Sequence, residues 1–325
     1  MMNVSSKKVL QYVLFLGIGF ALLYLTFKNV NPTELWANIQ SVDTMGLLVA
    51  LGIGFIAIII RGIRWVQLLR SLGYNVTPTR AISAVAFSYL VNLVTPRVGE
   101  VARCTALNKT DQIPIDKLFG TVVLERVVDS LMFGLVVLIT FITQAPDLLL
   151  FLEESGASLP ELNTGFFIVA GVVLFSIGAV LFLTKRIWLN WGFIKKILGF
   201  VSGIIEGLKS IQKVDNKILF WTYSFAIWIC YVGTIVVGFH IVEGLGDLGI
   251  GQAFYVSVAA ALGFVVPVPG GLGAYHYLVS KALVVLGYTP ELGTAFATII
   301  HSGQSLMFVI TGAIGMVILY FARKT

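Results

Sequence analysis

Long runs of apolar residues dominate this chain and limit what it can fold into. A helix that crosses the hydrocarbon core of a bilayer needs about 20 mostly apolar residues. Six segments meet this length: 9–27, 46–69, 115–142, 164–184, 218–241 and 293–321. Of the 325 residues, 58% are hydrophobic and only 12% are charged, whereas an ordinary soluble domain carries about 25% charged residues. The sequence therefore predicts an all-α polytopic membrane protein.

Two further apolar regions, 81–108 and 250–287, are each interrupted by a cluster of proline and glycine, TPRVGE in the first and PVPGGLG in the second. Their helical pieces of roughly 11 to 17 residues, at about 1.5 Å per residue, cross only part of a hydrocarbon core about 30 Å thick. We expect each region to form a re-entrant helical hairpin that enters and leaves the membrane on the same side.

Charges in the loops predict the orientation. Lysine and arginine concentrate at 61–80, at 185–217 and at the C-terminal end, whereas the 143–163 and 242–249 loops hold acidic residues and no Lys or Arg. Because cytoplasmic loops carry an excess of basic residues, both termini are predicted to be cytoplasmic. Six spans then alternate correctly only if both hairpins re-enter, the first from the cytoplasm and the second from outside.

The order helix, hairpin, helix occurs twice, at 46–142 and at 218–321, with opposite predicted orientations. FGTVV and SLMF at 119–133 are matched by FATII and SLMF at 296–308. We therefore expect one domain over 1–325 that contains an inverted repeat, joined by an amphipathic interfacial segment at 185–217. Inverted repeats with broken helices are common in secondary transporters. Irregular backbone in a membrane must be buried in protein or line a wet cavity, so a polar cavity is predicted between the hairpins.

Charged side chains inside these apolar segments are the first candidate site residues. A charge at the centre of a spanning helix costs about 2.5–3.5 kcal/mol, so such residues usually have partners and a function. The candidates lie at the first break and on the helix after it: Arg97, Glu100, Arg103, Glu125, Arg126 and Asp129. They could form an internal lattice of salt bridges, with Arg97 or Arg103 bound to Glu125 or Asp129. The number of charges in one leaflet favours a lattice that also contacts a substrate.

The second break supplies the remaining candidates. Glycines allow close approach of the backbone, and a helix that begins near Leu272 would point its N-terminal amides at an anion; the alternative is a tight turn with no ligand. A histidine in this region could titrate near neutral pH or be a hydrogen-bonded structural group. The candidate substrate-binding residues here are Pro269, Gly270, Gly271, Gly273 and His276, with His301 as a second titratable group.

Motifs of hydrolytic and transfer enzymes are missing from the sequence, since it has no G-x-S-x-G elbow, no H-E-x-x-H and no Walker loop. The two cysteines, Cys104 and Cys230, do not have the spacing of metal ligands. The basic residues lie beside apolar runs, which indicates membrane orientation and not nucleic-acid binding. We therefore expect no catalytic residues, no metal, no cofactor and no nucleic-acid partner.

Three blocks of sequence resemble those of a known family. PRVGEVAR, LERVVDSLMF and PVPGGLGAYHYLVSKAL, which contain Pro96–Glu100, Glu125–Asp129 and Pro269–Gly273, are similar to the signature blocks of the lysylphosphatidylglycerol synthase transmembrane-region family. This family is the flippase-like domain of the multiple peptide resistance factor and also occurs as stand-alone membrane proteins. The resemblance covers nearly the whole chain.

The resemblance implies a helical bundle with paired re-entrant hairpins in the bacterial cytoplasmic (inner) membrane. Such a bundle would move a lipid headgroup, for example an aminoacylated phosphatidylglycerol, between leaflets. The motif arginines and carboxylates would line the route. Synthase activity belongs to a soluble C-terminal domain, for which a chain that ends at Thr325 has no room, so no enzyme activity is expected. The family usually has a glutamate where this chain has His276, a difference that bears on the charge of the substrate.

The leading hypothesis is a flippase-like transporter whose partners are membrane lipids with an anionic or phosphate headgroup, with a homodimer as its candidate assembly. One alternative is a transporter, enzyme or accessory subunit that acts on polyprenyl-phosphate-linked sugars. A second is a coupled transporter of a small soluble anion. A cavity that opens sideways between helices would favour a lipid substrate.

Overall fold

The computed structural model describes residues 4–155 and 210–322. The predicted span 164–184 and most of the predicted interfacial segment 185–217 lie outside the described residues. Within them the chain is helical and contains no β-strand.

The described residues contain ten α-helices and two short 3₁₀ turns, at Ser210–Lys213 and Pro269–Gly271. In chain order the helices are α1 (Val4–Phe27), α2 (Pro32–Gln40), α3 (Thr44–Ser71), α4 (Pro78–Val94), α5 (Gly99–Asp111), α6 (Ile115–Glu154), α7 (Lys217–Ile241), α8 (Ile250–Val265), α9 (Ala274–Val285) and α10 (Pro290–Ala322).

Within the described residues, four helices are long and apolar enough to cross a membrane: α3, α6, α7 and α10. They contain the predicted spans 46–69, 115–142, 218–241 and 293–321, so a helix is confirmed at each. A fifth span is present if α1 and α2 count as one, although they are bent by 94° relative to each other. Helix α2 was not predicted; Asn31 caps it by accepting a hydrogen bond from the amide of Thr33 at 3.0 Å.

The acidic 143–163 segment was predicted to be a loop, and this prediction was wrong for its first part. Helix α6 continues to Glu154 through a kink at Gln144, whose φ of −144° and ψ of 40° are not helical. Pro146 follows the kink, where the amide that proline lacks is not needed for the helical ladder. A Pro residue therefore bends this helix and does not end it.

Both predicted breaks are confirmed, and the short helices on each side pack against each other. A Cβ atom added to Gly99, at the start of α5, would overlap the carbonyl oxygen of Ser88 in α4. In the other pair, a Cβ on Gly263 of α8 would lie 2.7 Å from the Cα of Tyr275 in α9. Each pair is thus a closed hairpin with a glycine at its closest approach, because no larger residue fits.

The helices after α2 form two units with the same order of lengths: long, short, short, long. Unit one is α3–α6 and unit two is α7–α10. Each unit packs its last long helix on the other unit's first short helix, α10 on α4 and α6 on α8, while α3 lies along α7. Helices α1 and α2 pack on the outside against α9 and α10. Two apolar cores result, one largely within each unit.

Candidate functional site

Unit one encloses a cluster of five charged side chains, which we call the ion cluster: Arg61 and Arg64 of α3, Arg103 of α5, and Glu125 and Asp129 of α6. Arg103 Nη2 lies 2.6 Å from Glu125 Oε2. Arg64 Nη2 contacts both carboxylates, Asp129 Oδ1 at 2.9 Å and Glu125 Oε1 at 3.4 Å. Arg61 Nη1 lies 2.8 Å from Asp129 Oδ2. Three helices are therefore joined through ionised groups.

The ion cluster lies deep within apolar helices. The side chains of Arg64 and Glu125 are fully buried, and Arg103 is 2% exposed. Arg61 and Glu125 each stand about ten residues from the nearer end of their helix, which places them roughly 15 Å along the axis. Buried charges at such depth are tolerated only when they are paired and hydrogen-bonded.

Neutral side chains complete the surroundings of the arginines. Arg61 Nη2 donates to the hydroxyl of Tyr231 at 3.1 Å, and Arg64 Nη1 donates to Ser224 Oγ at 3.1 Å. Both acceptors lie on α7, so unit two also contacts the ion cluster. The guanidinium of Arg103 stacks over the ring of Trp65 at 4.5 Å.

A second, more exposed pair extends the ion cluster to the surface of the bundle. Arg126 Nη2 lies 3.3 Å from Asp129 Oδ2, and Arg126 Nη1 lies 3.9 Å from Glu100 Oε1. The side chains of Arg126 and Glu100 are 48% and 25% exposed. Glu100 precedes Arg103 by one helical turn, a spacing at which the two side chains can pair. Arg103 instead turns inward to Glu125, one of the pairings predicted from the sequence. Arg126 and Glu100 form what we call the rim pair, between α5 and α6.

Arg97 is not part of the ion cluster. It is exposed, adopts a left-handed backbone conformation with a φ of 62°, and donates from Nη2 to the carbonyl oxygen of Val265 at 2.5 Å. Val265 ends α8 at the second break. A Cβ on Gly270 would also lie 2.8 Å from the side chain of Leu93, just before the first break. Of the predicted lattice, the pairing of Arg103 with Glu125 is present, whereas Arg97 forms no ion pair with a carboxylate of the described residues. Arg97 instead joins the two breaks.

Two histidines lie side by side behind the second break. The rings of His276 in α9 and His301 in α10 have their centroids 4.7 Å apart, and both residues are buried. His301 Nε2 is 2.8 Å from the carbonyl oxygen of Gly270, while His276 Nδ1 has no hydrogen-bond partner. His301 thus holds the backbone of the break.

The glycines of the second break have the conformations that glycine permits. Gly270, Gly271 and Gly273 have φ values of 58°, 78° and 81°, which other residues rarely adopt. Helix α9 begins at Ala274, and a Cβ on Gly273 would overlap the backbone carbonyl of Gly19 in α1. Helix α1 therefore covers the start of α9, and an anion-binding role for these glycines and for Pro269 stays a prediction.

Sequence reasoning missed Arg61 and Arg64, because it counted them among the basic residues of a cytoplasmic loop. A signal was present: both fall inside the predicted span 46–69, with apolar residues on either side, and their i, i+3 spacing places them on one face. Among the described residues, no group of three or more His, Cys, Asp or Glu side chains could hold a metal ion. The chemistry available is anion binding by guanidinium groups.

Comparisons with known proteins support a membrane function. The chain is 26% identical to the protein named glycosyltransferase AglD of Haloferax volcanii, over 91% of this chain and 52% of AglD. It therefore spans about half the length of that relative. It is also 21% identical to a UPF0104 membrane protein of Methanothermobacter thermautotrophicus, with 92% of each chain covered. A UPF0104 membrane protein of Methanocaldococcus jannaschii is 24% identical over 92% of this chain and 85% of its own length.

No solved structure matches the chain significantly. Residues 11–312, which include every helix of the ion cluster and both breaks, match the profile of the lysylphosphatidylglycerol synthase TM region. This multi-pass membrane protein belongs to the lysylphosphatidylglycerol synthase transmembrane-region family.

Proposed function

We propose that this protein is a flippase-like membrane lipid transporter that moves a phosphate-bearing headgroup between leaflets. One observation carries the proposal: a deeply buried ion cluster continues, through the rim pair, to the outer surface of the bundle. A lipid must keep its tails in the membrane while its headgroup moves, so a flippase needs a polar path that opens sideways. The rim pair between α5 and α6 lies where such a path would begin.

The proposed architecture has six spans and two re-entrant hairpins that form an inverted repeat, with both termini in the cytoplasm. The equal order of helix lengths in the two units supports it, as does their reciprocal packing, α10 on α4 and α6 on α8. The sixth span would be 164–184. Two units of this kind can rock against each other about their contact, which is how many secondary transporters alternate access.

In the proposed mechanism, the contact between Arg97 and Val265 holds the two breaks together in one state. The breaks separate when the units rock, and this opens the route to the other leaflet. Asp129 contacts Arg61, Arg64 and Arg126. The carboxylate can therefore exchange partners during this movement without ever being left unpaired, which keeps the cost of each step low.

A lipid-linked sugar is the second candidate substrate. The relative AglD is named a glycosyltransferase, which favours a role for this chain in moving, or presenting to an enzyme, a lipid that carries a sugar through phosphate. The same polar route and the same sideways opening would serve that substrate. This alternative changes the headgroup and leaves the transport mechanism as proposed.

Flipping can be measured in liposomes that contain the purified protein and a phosphatidylglycerol with a fluorescent headgroup-proximal label. Dithionite quenches label in the outer leaflet, so flipping speeds the loss of protected signal. We expect Arg97→Ala to slow this loss at least tenfold, because alternating access needs both states and the contact of Arg97 with Val265 stabilises the state in which the breaks are together. Arg80→Ala, which removes a partly exposed ion pair with Asp111, is the matched control and should flip at the wild-type rate.

The result that would overturn the proposal is a wild-type protein that does not flip phosphatidylglycerol or a lipid-linked sugar phosphate faster than protein-free liposomes. Equal rates for the wild type, Arg97→Ala and Arg126→Ala would remove the breaks and the rim pair from the mechanism.

A further inference from the structure

The ion cluster contains one more positive charge than negative charges. Three arginines, Arg61, Arg64 and Arg103, face two carboxylates, Glu125 and Asp129. The rim pair adds one charge of each sign and leaves the excess unchanged. An uncompensated charge in a medium of low dielectric constant is costly. The excess positive charge therefore calls for one negative charge that the described residues, 4–155 and 210–322, do not supply.

The hydrogen-bond donors indicate where that negative charge belongs. Arg61 and Arg64 have acceptors for both terminal nitrogens, and only Nε of each is unpartnered. Arg103 differs, because Nη2 binds Glu125 while both Nη1 and Nε are buried without any acceptor. Three of its five N–H groups are therefore free. The excess charge and the free donors are independent observations, and they agree on one site.

One acceptor on the rim also lacks a partner. Oε2 of Glu100 is buried without a hydrogen bond, and Glu100 precedes Arg103 by one helical turn, so the two side chains lie about 5–6 Å apart at their base. Because Arg126 already balances the charge of Glu100, a further cation is not required there. A hydroxyl group would satisfy this oxygen without changing the charge.

We infer that the site between α5 and α6 takes a lipid with one phosphodiester group and an uncharged, hydroxylated headgroup. The phosphodiester accepts a hydrogen bond from Nη1 of Arg103, beside the Nη2 that binds Glu125. A headgroup hydroxyl donates to Glu100. The net charge of the ligand is minus one, which equals the excess of the ion cluster. This inference rests on the proposed function and narrows its substrate; zwitterionic, cationic and diphosphate headgroups fit less well.

The outer surface around the rim pair suits the apolar part of such a lipid. Val98 and Val101 of the first hairpin are 42% and 47% exposed, and Val127 and Leu131 of α6 are 47% and 58% exposed. These side chains flank the point where Arg126 and Glu100 reach the surface. The tails can therefore lie on an apolar face while the headgroup enters between α5 and α6.

Binding can be tested by native mass spectrometry of the full chain in detergent, titrated with phosphatidylglycerol, phosphatidylcholine, phosphatidic acid and inorganic phosphate as separate probes. We expect phosphatidylglycerol to bind at least tenfold more tightly than phosphatidylcholine. Arg103→Gln should lose this preference, and Arg103→Lys should recover part of it, since lysine keeps the charge and loses the planar fork. Arg80→Gln, whose ion pair with Asp111 lies outside the ion cluster and the rim pair, should bind as the wild type does.

Arg103→Gln leaves two arginines facing two carboxylates, with Arg64 still on Glu125, so the variant is expected to fold; its thermal unfolding is recorded alongside. If it fails to fold, the partly exposed Glu100→Gln tests the inference instead. It should weaken the binding of phosphatidylglycerol severalfold relative to that of phosphatidic acid, which has no headgroup hydroxyl. Equal affinity of folded Arg103→Gln and wild type for phosphatidylglycerol, or an unchanged ratio of the two lipid affinities in Glu100→Gln, would overturn the inference.

The remaining outcomes separate the source of the phosphate and the two levels of proposal. Displacement of phosphatidylglycerol by millimolar inorganic phosphate would assign the site to free phosphate and overturn the lipid assignment. Selective, Arg103-dependent lipid binding without flipping in liposomes would sustain this inference and contradict the proposed function. Equal flipping of phosphatidylglycerol and phosphatidylcholine would sustain the proposed function and contradict this inference.

Discussion

The two four-helix units share an order of helices and differ in what they bury. Unit one encloses five charged side chains at the centre of its bundle. In the described part of unit two, the buried polar side chains are serines, threonines and the histidines His276 and His301, with no buried Asp, Glu, Lys or Arg. The same scaffold therefore holds a charged interior in one unit and a nearly neutral one in the other.

One position illustrates the difference. In each unit, a residue of the second short helix meets a residue of the last long helix: Arg103 with Glu125 in unit one, and His276 with His301 in unit two. The first contact is an ion pair and the second a contact between rings. His301 also binds the carbonyl of Gly270. The buried charge thus lies in unit one, and unit two holds the backbone of its break with a histidine.

The largest effect is expected from a substitution inside the charged interior of unit one. Glu125→Leu leaves Arg103 without its carboxylate and Arg64 with only Asp129, and removing one partner of a buried ion pair costs about 3–5 kcal/mol. We expect a matching fall in the free energy of unfolding, measured by denaturant titration in detergent micelles. A variant as stable as the wild type would show that the charges of unit one contribute nothing to folding.

The next prediction concerns what the units have in common. Gly99→Ala and Gly263→Ala each force a Cβ into the backbone of the partner helix of its hairpin, and such overpacking costs about 1–3 kcal/mol. Gly134→Ala is the control, since nothing lies within 4 Å of its Cβ. Both hairpin variants should unfold at a lower temperature than the control. Destabilisation in only one hairpin would refute the similarity of the units.

A smaller effect is expected in the neutral interior. His301→Phe keeps a ring in contact with His276 and removes the hydrogen bond to the carbonyl oxygen of Gly270. Gly270 is half-buried, so this oxygen can accept a hydrogen bond from water instead. The cost should be about 1 kcal/mol, well below that of Glu125→Leu. A loss as large as that of Glu125→Leu would mean that the two interiors are equally critical.

The smallest effect is expected from an ion pair of unit one that lies outside the ion cluster. Arg80→Gln removes an ion pair with Asp111 in which the side chains are 30% and 8% exposed, and Thr110 Oγ1 still donates to the Asp111 carboxylate at 2.6 Å. A pair whose arginine is open to water contributes about 0–1 kcal/mol. The same unfolding measurement should barely separate this variant from the wild type, and a larger loss would contradict the view that only the buried charges are critical.

Much of the helix plan was predictable, because run length and Pro/Gly clusters report local preferences. The bounds predicted for α3, α7 and α10 agree with the structure to within about three residues, and both breaks lie at the predicted clusters. Errors arose where local signals are ambiguous. The acidic residues of 143–163 suggested a loop, yet α6 continues through a kink to Glu154 because its far side packs in the core at Phe151.

The sequence by itself determined that this chain belongs in a membrane, where its long helices run and where its backbone breaks. Only the tertiary structure decided which arginines are buried and that Arg103 pairs with Glu125 and not with Glu100. It also decided that Arg97 contacts Val265, 168 positions away. Hydrophobicity and helix breaking are properties of neighbouring residues. The pairing of charges depends on distances between separate helices, and a buried arginine near a helix end looks the same in sequence as one that faces water.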